Sequence, residues 1–150
     1  MSGSSRRWAV AANVALLLGG FWLLGLGLYF IVLRPPLLPE DERFIGRSLQ
    51  EASALLPGLL PWLGHVFDVL GGFAAAVGGL VVWLVAAGAA TRVRRGGAAA
   101  GLAVCAWMAA TNFALQSDFR WVLSAAVLPW LIALVALFAG QQETDKEGIR

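Results

Sequence analysis

His65 and Asp68 stand three residues apart, so on a helix they share one face. A carboxylate beside an imidazole can work as an acid–base pair or carry a proton, which makes these two the candidate catalytic residues. Five further polar groups sit near the ends of apolar runs: Arg34, Asn112, Gln116, Asp118 and Arg120. Two readings of this set are open. It is a structural clamp, with Arg–Asp pairs and amides fixing helix ends, or it is a pocket for a small or lipidic molecule. Either way Asp68 is expected within reach of Arg34 or Arg120, with Asn112 nearby. An unpaired carboxylate at the edge of hydrocarbon must protonate or find water.

Counting excludes other chemistries. Cys105 is the single cysteine, so neither an internal disulfide nor a cysteine-pair relay can form. It falls in a stripe of small residues and reads as a packing residue. His65 is the single histidine, so a multi-histidine metal site or a bis-histidine haem cannot form within one chain. Neither a metal nor a cofactor is expected. The net charge is only +2, and no basic face carries interleaved aromatics, so a nucleic-acid partner is not expected.

The elements that must position these groups are apolar. Of 150 residues, 59% are hydrophobic and 13% charged, against about 45–50% and about 25% in soluble domains. So short a chain cannot hide that much apolar surface from water, and membrane lipids become its expected solvent partners. Four runs are long enough to span: about 8–33, 61–91, 98–116 and 121–140. The first is 26 residues, longer than the about 7–15 of a signal-peptide core, and lacks a clear small-residue cleavage site, so a retained helix is expected. Pro129 should kink the fourth span. The chain therefore reads as one polytopic domain, an all-α four-helix membrane bundle with a helical extracytoplasmic loop, 34–60, between spans one and two.

In that loop, Pro39 suits a first helical position, three acids follow it, and Gly46 suits a stop. Ser48-Leu49-Gln50-Glu51 is a capping box for a second short helix. The pair forms either a structured connector or a lid over a cavity. Small-residue stripes mark close helix contacts: Ala11-Ala15-Gly19, Gly71-Ala75-Gly79 and Gly97-Gly101-Cys105-Ala109. They also leave room for a homo-oligomer. Asn13 reads as an isolated packing amide, and Trp22, Trp83, Trp107 and Trp130 as bulky packing residues.

Lys and Arg set orientation. Seven fall in the tails and in the expected turn Arg92–Arg95, and four (Arg34, Arg43, Arg47, Arg120) on the other side, which places both termini in the cytoplasm. Ten arginines against one lysine suggest a GC-rich bacterial genome and hence the inner membrane.

The stretches Arg34-Pro35-Pro36-Leu37-Leu38-Pro39-Glu40-Asp41, Arg43-Phe44-Ile45-Gly46 and Ser117-Asp118-Phe119-Arg120-Trp121 resemble small bacterial four-span membrane proteins of uncharacterised function. The resemblance covers almost the whole chain and implies the four-span fold but no activity. Small multidrug transporters fit worse, because the first span lacks a carboxylate. Membrane glutathione transferases carry a Glu-Arg-xxx-Asn motif, and here Glu42-Arg43 is followed by Arg47. The leading expectation is a non-catalytic protein that binds a hydrophobic ligand or membrane partner at its extracytoplasmic end. A lipid-acting enzyme using His65 and Asp68 is the alternative, and a proton-coupled transporter the third.

Overall fold

Uninterrupted apolar sequence leaves a backbone in lipid one open-ended solution, the helix, because every N–H and C=O must be satisfied within the segment. The computed structural model describes residues 3–148. These form seven helices and no strand: α1 (Gly3–Val32), α2 (Pro39–Ile45), α3 (Leu49–Leu55), α4 (Leu59–Ala86), α5 (Thr91–Ala114), α6 (Arg120–Ala125) and α7 (Val127–Gly148). Four spans of 30, 28, 24 and 24 residues result, the last made of α6 and most of α7. At about 1.5 Å per residue each exceeds a hydrocarbon core of roughly 30 Å. No more than 33% of each span's most apolar stretch is buried inside the bundle. Val69, Leu80, Leu131 and Val135 face outward. This is an all-α membrane bundle whose remaining apolar surface is solvated by lipid.

α1 is the central helix, packed on α4 and α7. Its contact with α4 is backbone against backbone. A Cβ on Gly27 would lie 2.5 Å from the Gly71 carbonyl oxygen, and one on Gly78 would lie 2.5 Å from that of Gly20. Gly20 and Gly27, like Gly71 and Gly78, are seven residues apart, about two turns. The stripe on α4 is thus Gly71-Ala75-Gly78. Gly79, expected in it, meets open space, as does Gly72. On α1 and α5 the expected Gly19 and Gly101 do carry a contact, with the ring of Trp130 on α7 between them. Trp130 is fully buried, and around it lie Leu16, Leu23, Cys105 and Ala133.

The reversal between spans two and three occupies residues 87–90, ahead of the basic run in which it was expected. Gly88 takes the left-handed conformation (φ 64°) there, which costs glycine nothing, and the Ala89 N–H returns to the Leu84 carbonyl. This turn is apolar, so charge did not mark it, and Arg92, Arg94 and Arg95 sit on the first turns of α5. Arg94 donates to Asn13 on α1, and Arg95 donates to the Leu137 carbonyl on α7 and covers the Phe138 ring. Asn13 is therefore a partner of Arg94 and not an isolated amide. Helix α1 begins at Gly3, before the apolar run, and Ser4 bonds Glu143, so the start of α1 and the end of α7 lie at this end of the bundle. Arg150, counted in the tail charge, lies outside the described residues.

The break expected from Pro129 falls at Ala126. The proline ring displaces the carbonyl four residues earlier, that of Ala125. At the opposite end from the termini, α2 and α3 form where the caps placed them. Gly46 is left-handed (φ 71°) after α2, and Ser48 and Glu51 exchange backbone N–H bonds at the start of α3.

Candidate functional site

Between α1, α4, α5 and α6 lies a partly open cavity of about 800 Å³. It exists because α7 fills the other side of the bundle with Trp130, while α5 scarcely touches α1. Trp22 and Leu26 of α1, Phe73 and Val77 of α4, Val104 and Trp107 of α5 form apolar walls. Polar groups gather at one end: Arg34, Glu40, Asp41, Asn112 and Ser117. A second concavity of about 920 Å³ on α1 and α7 has Arg6 and Arg7 at one edge but no buried carboxylate or amide within it.

The polar end is built by α2. The Leu38 N–H donates to Asp41 Oδ2 at 2.8 Å, so the N-terminal carboxylate caps its own helix. Arg34 Nη2 donates to the same oxygen at 3.2 Å. The Arg34 guanidinium carbon stands 3.5 Å from the Phe67 ring centroid and 5.3 Å from that of Phe30. Two aromatic faces therefore hold it in place. Glu40 is 6% exposed, and Ser117, 3% exposed, donates to its Oε1 at 3.1 Å. Among the described residues no donor reaches Glu40 Oε2.

Ser117 is aimed by the end of α5. Gln116 takes the left-handed region (φ 52°), and the Ser117 N–H returns to the Asn112 carbonyl, stopping the helix as Gly88 stops α4. Arg120 donates to the carbonyls of Gln116 and Ser117. Asp118 receives two bonds of 2.9 Å from Nη2 of Arg43 on α2. That hydrogen bond, and then the Asp118 charge, holds the Arg43 guanidinium above its usual value. The loop 115–119 and α2 are thereby joined across the bundle end by one buried bond and one exposed ion pair.

The seven sequence-singled residues therefore separate. Arg34 and Asn112 line the cavity, and the Asn112 amide donates to the Met108 carbonyl. Gln116, Asp118 and Arg120 shape the corner that holds α2. His65 and Asp68 line no part of it. Their atoms Nδ1 and Oδ2 are 3.7 Å apart, and both side chains are exposed. The expected pairing of Asp68 with Arg34 or Arg120 is not the one formed, because Asp41 takes Arg34 and Arg120 bonds the carbonyls of Gln116 and Ser117 in the loop after α5. The reason is rotation. Asp68 continues into Gly72 and Gly79, whereas α4 packs through Gly71 and Gly78, one residue or about 100° away. The sequence reading missed Glu40, Asp41 and Ser117. For the two acids the signal was the Leu37-Leu38 pair just ahead of them, which ties the start of α2 to apolar surroundings; Ser117 carried none.

Compared with known proteins, the chain matches no family model, no curated protein and no solved structure.

Proposed function

We propose that this is a small membrane protein of the bacterial inner membrane that binds a hydrophobic or amphipathic molecule in the cavity beneath α2. The observation that carries this reading is the cavity itself. Its volume of about 800 Å³ lies within the roughly 300–1,000 Å³ of small-molecule sites, which share its apolar walls and few convergent polar groups. Helix α2 contributes Glu40 and Asp41 to the lining, and its N-cap residue Leu38 joins them, so this segment closes over the polar end. The Lys and Arg distribution supports an extracytoplasmic position for that end, with Arg6, Arg7 and the Arg92–Arg95 run on the cytoplasmic side.

The test is purification in mild detergent followed by mass spectrometry of what co-purifies. The wild type should retain a hydrophobic compound that Ala74→Phe, which fills the cavity wall, loses while still eluting as a folded species. Equal retention by both would place the binding elsewhere. Orientation is tested in a Cys105→Ala background, where an impermeant maleimide should label Gln50→Cys and spare Gly96→Cys. The reverse pattern would turn the protein over in the membrane.

A further inference from the structure

The charges at the cavity's polar end do not balance. Of the groups lining it, Arg34 and Asp41 form a pair, and Arg34 also donates to the Pro35 carbonyl and lies on Phe67. That leaves Glu40. Arg43 is near enough to feel the Glu40 charge, but it is exposed and its Nη2 is held by Asp118. Glu42, on the same helix, lines no part of the cavity and accepts from the Leu49 N–H. Glu40 is the remaining carboxylate: 94% buried as a residue and given one bond by a neutral hydroxyl, while Oε2 lacks a donor and keeps accessible surface at the cavity. A carboxylate so largely buried is stabilised by donors or a close counter-charge. At Oε2 the fold supplies no donor, and the cation that acts on Glu40, Arg43, is exposed and bonded to Asp118, whereas its neighbour Asp41 receives both a donor and a direct ion pair. Aromatic rings attract cations through their faces; Phe30 and Phe67 hold Arg34 in this way, and Tyr29 and Phe119 stand in the same wall.

We propose that the cavity takes an amphiphile with a cationic amino headgroup, its chain between α1, α4 and α5 and its ammonium on Glu40 Oε2. This rests on the binding function argued above and specifies its ligand class. The amino group is the recognised chemistry. It could belong to a free long-chain amine or to an aminophospholipid. An anionic headgroup is disfavoured, because Arg34 is already paired and Glu40 would repel it.

The experiment uses the full chain in dodecyl maltoside and three probes of equal chain length: ω-bromoundecylamine, ω-bromoundecanol and ω-bromoundecanoate. Bromine quenches tryptophan at short range, and Trp22 and Trp107 line the cavity. Partition into the micelle quenches without saturating, whereas a site saturates. The amine should saturate at a concentration at least tenfold below the alcohol and the carboxylate. Glu40→Gln, which keeps an acceptor for Ser117, should erase that advantage and leave the alcohol unchanged. Glu42→Gln should change nothing. Displacement of the amine by phosphatidylethanolamine and not by phosphatidylglycerol would support a lipid as the source, and displacement by neither a free amine. Equal affinities across the three headgroups, or preference for the carboxylate, would overturn the ligand class while keeping the cavity as a site. This comparison needs the wild type alone, so it stands even if Glu40→Gln fails to fold. Failure of every probe to saturate would instead overturn the binding function itself.

Discussion

Trp130 donates its indole N–H to the sulfur of Cys105 across 3.1 Å, with both side chains buried at the centre of the bundle. A donor in lipid-depth packing has to find an acceptor, and the thiol is the group that α5 offers. The ring also lies flat enough against Gly101 that a Cβ there would come within 2.3 Å of it, and within 2.7 Å at Gly19. Size on α7 is thus matched by its absence on α1 and α5.

Gly101→Ala should therefore destabilise the bundle by about 1–3 kcal/mol, the usual cost of overpacking a filled interior. The ring it strikes is wedged and cannot swing aside. Trp130→Phe should cost comparably by leaving a gap and Cys105 without its donor. Thermal unfolding in detergent, followed by near-ultraviolet circular dichroism, reads both. A Gly101→Ala protein as stable as wild type would mean that α5 and α7 are not in contact as described.

The α1–α4 seam gives a second, internally controlled prediction. Gly27→Ala and Gly78→Ala should each weaken the bundle, because the added methyl meets a carbonyl oxygen at 2.5 Å. Gly72→Ala and Gly79→Ala meet nothing within 4 Å and should leave stability unchanged or raised. If the second pair proved the damaging one, α4 would have to be rotated by about 100°.

That rotation explains what the sequence could and could not show. The four spans, the short helices after Pro39 and Ser48, and the break near Pro129 follow from hydropathy, caps and covalent geometry, all local. Which of two adjacent glycine stripes on α4 faces α1 does not, because Gly71-Ala75-Gly78 and Gly72-Ala75-Gly79 are equally small. The choice depends on α1 presenting Gly20 and Gly27 at the same seven-residue interval. The candidate site inherited that ambiguity. Asp68 belonged to the site only if the other stripe packed, while Glu40 looked like one of three acids favouring a helix start. Its burial depends on Ser117, 77 residues away.

Ion pairs at the two edges of α2 should differ sharply in worth. Arg43 and Asp118 have side chains 59% and 62% exposed, and pairs so placed contribute little, because water and salt screen them. Asp118→Asn should accordingly shift the unfolding midpoint little. The pair also adds no titration from its cation. The Arg43 pKa is raised, so its contribution would be lost only as pH rises through that value, above any working pH.

Arg34 and Asp41 are the opposite case, 8% and 18% exposed. Asp41 serves two donors, the Arg34 guanidinium and the Leu38 N–H that starts α2. Replacing it strands a buried cation, for which about 3–5 kcal/mol is usual, and also removes a helix cap, about 1 kcal/mol more. Asp41→Ala should therefore destabilise the protein far more than Asp118→Asn. Arg34→Met tests whether the cost lies in the stranded charge. It keeps an apolar side chain between Phe30 and Phe67 and leaves Asp41 its cap. The double variant Arg34→Met/Asp41→Asn should recover part of the loss seen in Asp41→Ala, since no unpaired cation remains. Thermal unfolding of the four proteins at moderate and high salt decides it. The Asp118→Asn difference should vanish in salt, whereas the Asp41→Ala difference should persist, because screening reaches exposed charges and not buried ones. Equal, salt-sensitive losses at both positions would mean that Arg34 is solvated and that α2 does not close the cavity's polar end.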